Sequence, residues 1–273
     1  MLTVFLTPRA QCQNAGGSPP AETTAGRPAQ GLPFLQDQIP AEYREFLPLP
    51  LGISLNYVHQ DLPLKMVDTT VTIPGFPLPP GLVRGGTVKA VTNSYVARID
   101  AWLLPFLNVY GVAGRFKGTA QEFKMDLAMP VPLPIPSEVS YKGSTYGAGF
   151  TAAFGYRHFF ASYDCSWQSA RPDLTNSLKT RFQGLRGGVH FASSGIQTRL
   201  YVGTVRLDIL DRVEGTVLLQ SGAPAIFDVT VQPKEAWSPV AGADFQLSRH
   251  FSLSIEASFG SMKQIVVAPG FRF

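Results

Sequence analysis

The sequence predicts an all-β chain: a single antiparallel up-and-down transmembrane β-barrel of about ten strands (8–12), with tight turns at one rim and long loops at the other. Three observations predict it. Charged residues are scarce, apolar and polar residues alternate with period two from about residue 50 to the end, and the connections between alternating segments are short and long by turns.

Scarcity of charge limits where the surface can lie. Of 273 residues, 15% are Asp, Glu, Lys or Arg, against about 25% in ordinary soluble domains, while Gly (26) and Phe (19) are plentiful. Such a chain exposes apolar side chains to lipid or buries them in a large core. A spanning helix needs about 20 predominantly apolar residues. The best stretch, Ala101 to Gly114, is shorter and is broken by Pro105 and Asn108. A closed barrel is the other way to satisfy every backbone hydrogen bond in hydrocarbon. The net charge of +4, without a Lys/Arg run, gives no reason to expect a nucleic-acid partner. Cys12 and Cys165 make no metal spacing, and neither a metal nor another cofactor is expected.

Residues 1–45 read as a leader and 46–273 as the barrel. The opening MLTVFLTP is apolar but lacks the basic start and length of a secretory signal, so it reads as a truncated one. Gln11 stands where a lipid anchor on Cys12 would need a small residue. Residues 13–45, rich in Gly, Pro, Ala and Gln, read as flexible.

A first strand covers Leu51 to His59, and two more, about Lys89 to Leu103 and Phe106 to Thr119, meet at Leu104-Pro105. Next, Tyr146, Ala148, Phe150, Ala152, Phe154 and Tyr156 alternate with glycines, threonine and alanine. Across Arg157-His158, Phe159, Ala161, Tyr163, Cys165 and Trp167 alternate with Ser162, Asp164, Ser166 and Gln168. Arg181 to Phe191 and Gln197 to Leu210 form the next pair, around Ser193-Ser194-Gly195. Trp237, Pro239, Ala241, Ala243, Phe245 and Leu247 share a face; so do Phe251, Leu253, Ile255, Ala257 and Phe259 after a tight turn. The last strand puts Ile265, Val267, Pro269, Phe271 and Phe273 on one side. Long connections are expected at 60–86, 120–141, 170–179 and 211–234, the first with room for a hairpin near Thr69 to Ile73.

A soluble ligand-binding barrel would show the same alternation with the opposite polarity. Here the polar face is mostly Ser, Gly, Thr, Asn and Gln, without the Lys and Glu that coat soluble strands. The apolar face carries Tyr146, Tyr156, Trp167, Trp237, Phe259 and Phe273 near strand ends, as interfacial girdles do. From about residue 50 the chain resembles the bacterial outer-membrane β-barrel proteins, by this plan and by its terminal strand Gln264-Ile-Val-Val-Ala-Pro-Gly-Phe-Arg-Phe273. The resemblance implies residence in the outer membrane of a Gram-negative bacterium, tight turns in the periplasm, long loops outside, and contact with outer-membrane lipid. It also implies that Ile265, Val267, Phe271 and Phe273 form the signal read by the barrel-assembly machinery. Pro269 departs from that pattern and must sit at a bulge or a non-pairing position, because proline deletes a ladder donor.

Parity places Arg98, Asp100, Asp164, Arg186, His190, Asp244, Glu256 and Arg272 on the inner face. In a narrow barrel, side chains fill the interior, and buried charges must be paired. These eight are therefore expected to form a network that plugs the lumen, with a narrow pore lined by them as the alternative. No catalytic residue is assigned. The pieces of a hydrolase would be His190 with Ser193 and Ser194, at the periplasmic end, or His59 with Asp61, which lack a nucleophile beside them. The proline-rich loops at Val71 to Pro80 and Met129 to Pro136 favour extended conformations and could cover the mouth or meet an extracellular ligand or surface partner. The functional expectation is a structural, surface-interaction or limited-permeation role.

Overall fold

The computed structural model describes residues 32–34, 49–74, 83–127, 137–193, 196–218 and 224–273. Most of the expected leader, the proline-rich stretches 75–80 and 129–136, and Ser194-Gly195 lie outside them.

Alternation produces strands throughout: β1 (Leu51–Thr72), β2 (Val83–Leu104), β3 (Leu107–Leu127), β4 (Glu138–Tyr156), β5 (Phe159–Pro172), β6 (Leu178–Ser193), β7 (Ile196–Ile209), β8 (Val213–Leu218), β9 (Pro224–Pro233), β10 (Trp237–Gln246), β11 (Phe251–Ser258) and β12 (Lys263–Arg272). Every pairing is antiparallel, in the order β12-β11-β10-β7-β6-β5-β4-β3-β2-β1, and β12 pairs back onto β1. Ten strands therefore close a barrel, and β8 and β9 stand outside the ring. Closure leaves the membrane-embedded wall without an edge whose amides would face hydrocarbon.

Three expectations about connections are corrected. The first strand does not end at His59, since β1 runs on to Thr72 and pairs with β2 as far as Met66↔Gly86, so most of 60–86 is strand. The segment 120–141 is largely the continuation of β3 and β4. The segment 211–234 holds the hairpin β8–β9 rather than an open loop.

The exterior shows where lipid lies. Ile99 and Val202 point outward and are 66% and 68% exposed, among an outward set that includes Ile53, Leu185, Leu200 and Ile255. The apolar outward runs, such as Tyr146 to Tyr156, Phe159 to Trp167 and Phe251 to Phe259, are about 9–11 residues long, the length a tilted strand needs to cross. β10, β11 and β12 have 10, 8 and 10 residues and end with that band. By contrast, β1 and β2 have 22 residues each, β3 has 21 and β4 has 19, so the wall they form rises well above the membrane. The excess of about ten residues makes a collar roughly 25 Å tall, at about 3.3 Å per residue and a tilt near 40°.

Above the band the polarity of the wall reverses. Outward positions become Asp61 and Lys65 on β1, Lys89 and Asn93 on β2, Arg115 and Lys117 on β3, and Lys142 and Ser144 on β4. Inward positions become Leu62, Leu64, Met66, Val88, Ala120, Phe123 and Met125. Here the solvent is water on the outside, so the apolar face turns inward, as in a soluble barrel.

The hairpin β8–β9 completes the collar where β11 and β12 stop. β12 pairs with β1 over Gly52 to Asp61, and β9 takes the same edge from Leu64 to Thr72. β8 is tied to the β5–β6 connection by the Thr175↔Gly215 bridge and by Asn176, whose amide donates to the Glu214 carbonyl at 2.9 Å. Arg212 fastens the hairpin base, its Nε donating to Asp228 Oδ1 at 2.7 Å and an Nη to the Asp68 carbonyl at 3.0 Å. That carboxylate raises the Arg212 pKa above its ordinary value.

Candidate functional site

The lumen is built from rows of inward side chains in which glycines stand beside large residues. Arg272, Gly52, Asp100, Tyr110 and Gly149 are successive partners across five strands, and so are Glu256, Gly242, Tyr201 and Gly188. Alternating small and large residues is how a narrow barrel fits its interior. A Cβ at Gly52 would lie 2.7 Å from Asp100 Oδ1 and 3.1 Å from Arg272 Cζ, so a side chain there would push the ends of both aside. Its bare backbone lets Arg272 reach across to Asp100.

At the tight-turn end Asp100 is the hub. Arg272 Nη2 donates to Asp100 Oδ2 at 2.6 Å, and Asn108 Nδ2 donates to the same oxygen at 2.7 Å. Arg98 Nη2 donates to Asn108 Oδ1 at 3.0 Å, and the Arg98 guanidinium lies 3.7 Å from the Tyr110 ring centroid, a cation–π contact. Tyr110 passes the network upward, its hydroxyl donating to both Asp164 oxygens at 2.9 and 3.0 Å, and Thr151 Oγ1 donates to Asp164 Oδ2 at 2.7 Å. On the opposite wall Arg186 grips Glu256 with two parallel bonds, Nε to Oε2 at 2.5 Å and Nη2 to Oε1 at 2.9 Å. Asp244 accepts from Ser254 Oγ at 2.6 Å and faces Arg199 Nε at 3.5 Å.

Seven of the eight residues expected in the lumen thus lie in hydrogen-bonded or ion-paired groups. His190 is the exception. It faces inward opposite Arg199, but near the β6–β7 turn, its ring 6.1 Å from that of His158, and it joins no ion pair among the described residues. Its inward face and its place near the turn match the sequence reading, but its expected share in the charge network is not seen among the described residues. Asn108, Tyr110, Thr151 and Arg199 were not anticipated. Tyr110 and Asn108 sit at alternate positions directly opposite Asp100 and its neighbour Trp102, a signal available once the β2–β3 register is known.

Over this polar column lies an apolar cap. Leu62, Val205, Val240 and Met262 are buried together, with Leu64, Phe182 and Leu207 against them. Leu64 also packs on a second group, Met66, Val88, Val229 and Val231, which Phe123, Met125, Ile209, Val213 and Phe227 surround. The collar interior is therefore a hydrophobic core continuous with the top of the lumen.

An apolar wall with aromatic rims, a hydrogen-bonded polar interior and full closure decide the class. The chain is a transmembrane barrel of outer-membrane type. Its strand plan puts the tight turns and both barrel termini at one rim and the collar at the other. No family model and no curated protein matches the sequence. Similar solved structures include the β domain of the Bordetella autotransporter Brka, at 12% identity and TM-score 0.42, covering 82% of this chain and 100% of that one. The translocator domain of the autotransporter NalP from Neisseria meningitidis is 13% identical with TM-score 0.40, covering 82% and 89%. The attachment invasion locus protein Ail of Yersinia pestis is 9% identical with TM-score 0.26, covering 83% and 99%.

The terminal strand closes the wall. Ile265, Val267, Phe271 and Phe273 all take the outward face, and Phe271 packs on Phe251 and Phe273 with ring centroids 5.0 and 6.2 Å away. Against β1 the ladder skips from Gly270 to Val267: Pro269 stands opposite Leu55 at a position that would donate across the seam, so the expected non-pairing site is instead a local break in the ladder. Phe273 exchanges two backbone bonds with Leu51, at 2.9 and 3.1 Å. Removing Phe273 is expected to lower the yield of folded barrel in the outer membrane several-fold, since it deletes both the seam's last ladder pair and an outward aromatic. Quantifying heat-modifiable protein in isolated outer membranes checks this, and an unchanged yield would refute it.

Of the residues weighed for hydrolysis, Ser194 and the Ser193 side chain lie outside the described structure, and the other pair does not form a catalytic group. His59 and Asp61 lie on the outward face of β1, where His59 Nδ1 is 2.9 Å from Asn93 Oδ1 and Asp61 pairs with Lys89 at 3.1 Å. Neither is hydrogen-bonded to a serine among the described residues.

Proposed function

We propose that this protein is a non-conducting outer-membrane barrel whose lumen serves as a rigid internal strut and whose working surface is the extracellular collar. The apolar cap above the ion-paired column carries this reading. Ion pairs alone could line a narrow pore, but a water path would also have to pass Leu62, Val205, Val240 and Met262, which exclude water without offering it a hydrogen bond. The collar's interior is committed to its own core, which leaves its polar exterior and the loop tips as the surfaces for a partner.

The test is single-channel recording of the full chain in planar bilayers. Conductance is expected to be absent or very small across a wide voltage range. A large, steady wild-type current would favour the narrow-pore reading. Removal of part of the cap by Met262→Gly is expected to raise leak events more than a change on the lipid face does.

A further inference from the structure

We propose that the outer wall of β2–β5 binds a phosphorylated glycolipid of the outer leaflet, with its phosphates held between Arg115, Lys117 and Lys142. The inference is independent of whether the lumen conducts. It starts from two neighbouring rungs of the outward face at the top of the apolar band. One rung reads Tyr95, Arg115, Ser144 and Arg171 across four strands, and the next reads Asn93, Lys117 and Lys142. Arg115, Lys117, Lys142 and Arg171 are all exposed, and none has a carboxylate within ion-pair distance among the described residues.

Lys117 and Lys142 are direct cross-strand partners. Like charges placed opposite each other in a sheet are destabilising, so an anion that bridges them offsets a cost the protein alone leaves standing. Asp173, beside Lys142, is turned to the backbone and accepts from the Lys142 amide at 3.1 Å. Arg171 is held in place on the rim, donating to the Tyr146 hydroxyl at 2.7 Å with its guanidinium 4.9 Å from that ring's centroid.

A second observation concerns the wall beneath the cations. The outward positions there are Ala97, Ala113 and Tyr146 on one rung and Ile99, Gly111, Ala148 and Trp167 on the next. Small residues make a shallow, flat track between Ile99 and Tyr95 on one side and Tyr146 and Trp167 on the other. Acyl chains can lie in that track directly below the basic head site. Headgroup phosphates and chains then have complementary surfaces at the correct depths, which a soluble anion would not use. A cation at a charged membrane surface contributes about 1 kcal/mol.

The test uses the folded full chain in detergent with diphosphoryl lipid A as probe. Binding is followed by native mass spectrometry and by the rise in unfolding temperature. Lys117→Ser combined with Lys142→Ser is expected to weaken binding about 30-fold, monophosphoryl lipid A to bind less tightly than the diphosphoryl form, and Lys234→Ser, in the link between β9 and β10, to change nothing. In lipid-free detergent the double variant is expected to be as stable as wild type or more so, because a like-charge contact is gone. Equal lipid binding by wild type and double variant overturns the proposal. So does a lipid-free loss of stability in the double variant, which would mark the lysines as structural, and so does equally effective binding of inorganic pyrophosphate, which would mark an anion site without lipid specificity.

Discussion

Arg186→Ala is expected to destabilise the folded barrel by about 3–5 kcal/mol, the cost of leaving one member of a buried ion pair alone. Glu256 is bound by that guanidinium through two bonds, and the two side chains are only 20% and 12% exposed. In the variant the carboxylate must be rehydrated inside the barrel or protonated. Arg186→Ala with Glu256→Gln is expected to recover a large part of the loss, because an amide is cheaper to bury than an unpaired charge. Urea unfolding in detergent, followed by tryptophan fluorescence, measures both. If the double variant is no more stable than the single one, Glu256 does not depend on Arg186 and the lumen is wetter than its geometry implies.

The second large effect is expected in the collar. Val229, 5% exposed, packs with Met66, Val88 and Val231. Val229→Asp puts a carboxylate into that cluster at a cost of roughly 4 kcal/mol, and the hairpin β8–β9 should detach from β1. The ten-stranded ring below has its own ladder and need not follow. The variant is therefore expected to insert normally and keep its heat-modifiable mobility, while protease added to intact cells cuts between 213 and 233 many times faster than in wild type. Loss of insertion, or unchanged resistance, would show that collar and ring do not separate in this way.

The ring was legible in the sequence because alternation, charge scarcity and turn spacing all report on a wall with lipid outside. Phe251 to Phe259 is a strand at those positions to within a residue. The collar was not legible, and the reason is physical. In Asp61-Leu62-Pro63-Leu64-Lys65-Met66 the alternation continues, but its apolar members face inward, so a reading that equates apolar with lipid sees a disordered mixture with a breaking proline. The same parity that placed Arg186 and Glu256 on the inner face carried no information on which strands face each other across the lumen, so it could not pair residues 70 positions apart. Asp100's dependence on Gly52 was equally hidden, since a glycine on a polar face says nothing about which side chain crosses it until the register is known.

The shared edge of β1 behaves as a vernier. A strand that closes a barrel can in principle slide by two residues and still present the same faces, and a short closing strand such as β12 resists that weakly by itself. Here the tape it reads is already keyed. β9 fixes the upper segment of β1 against the C-terminal half of the chain, and only the three linking residues Lys234 to Ala236 separate β9 from β10, which carries β11 and β12. A two-residue slip of β12 would have to stretch that link or drag β9 along β1 past the positive-φ residue Asp68, where the β1–β9 register is already shifted. The external hairpin thus reinforces from above an offset that the β12–β1 ladder sets for itself in the membrane.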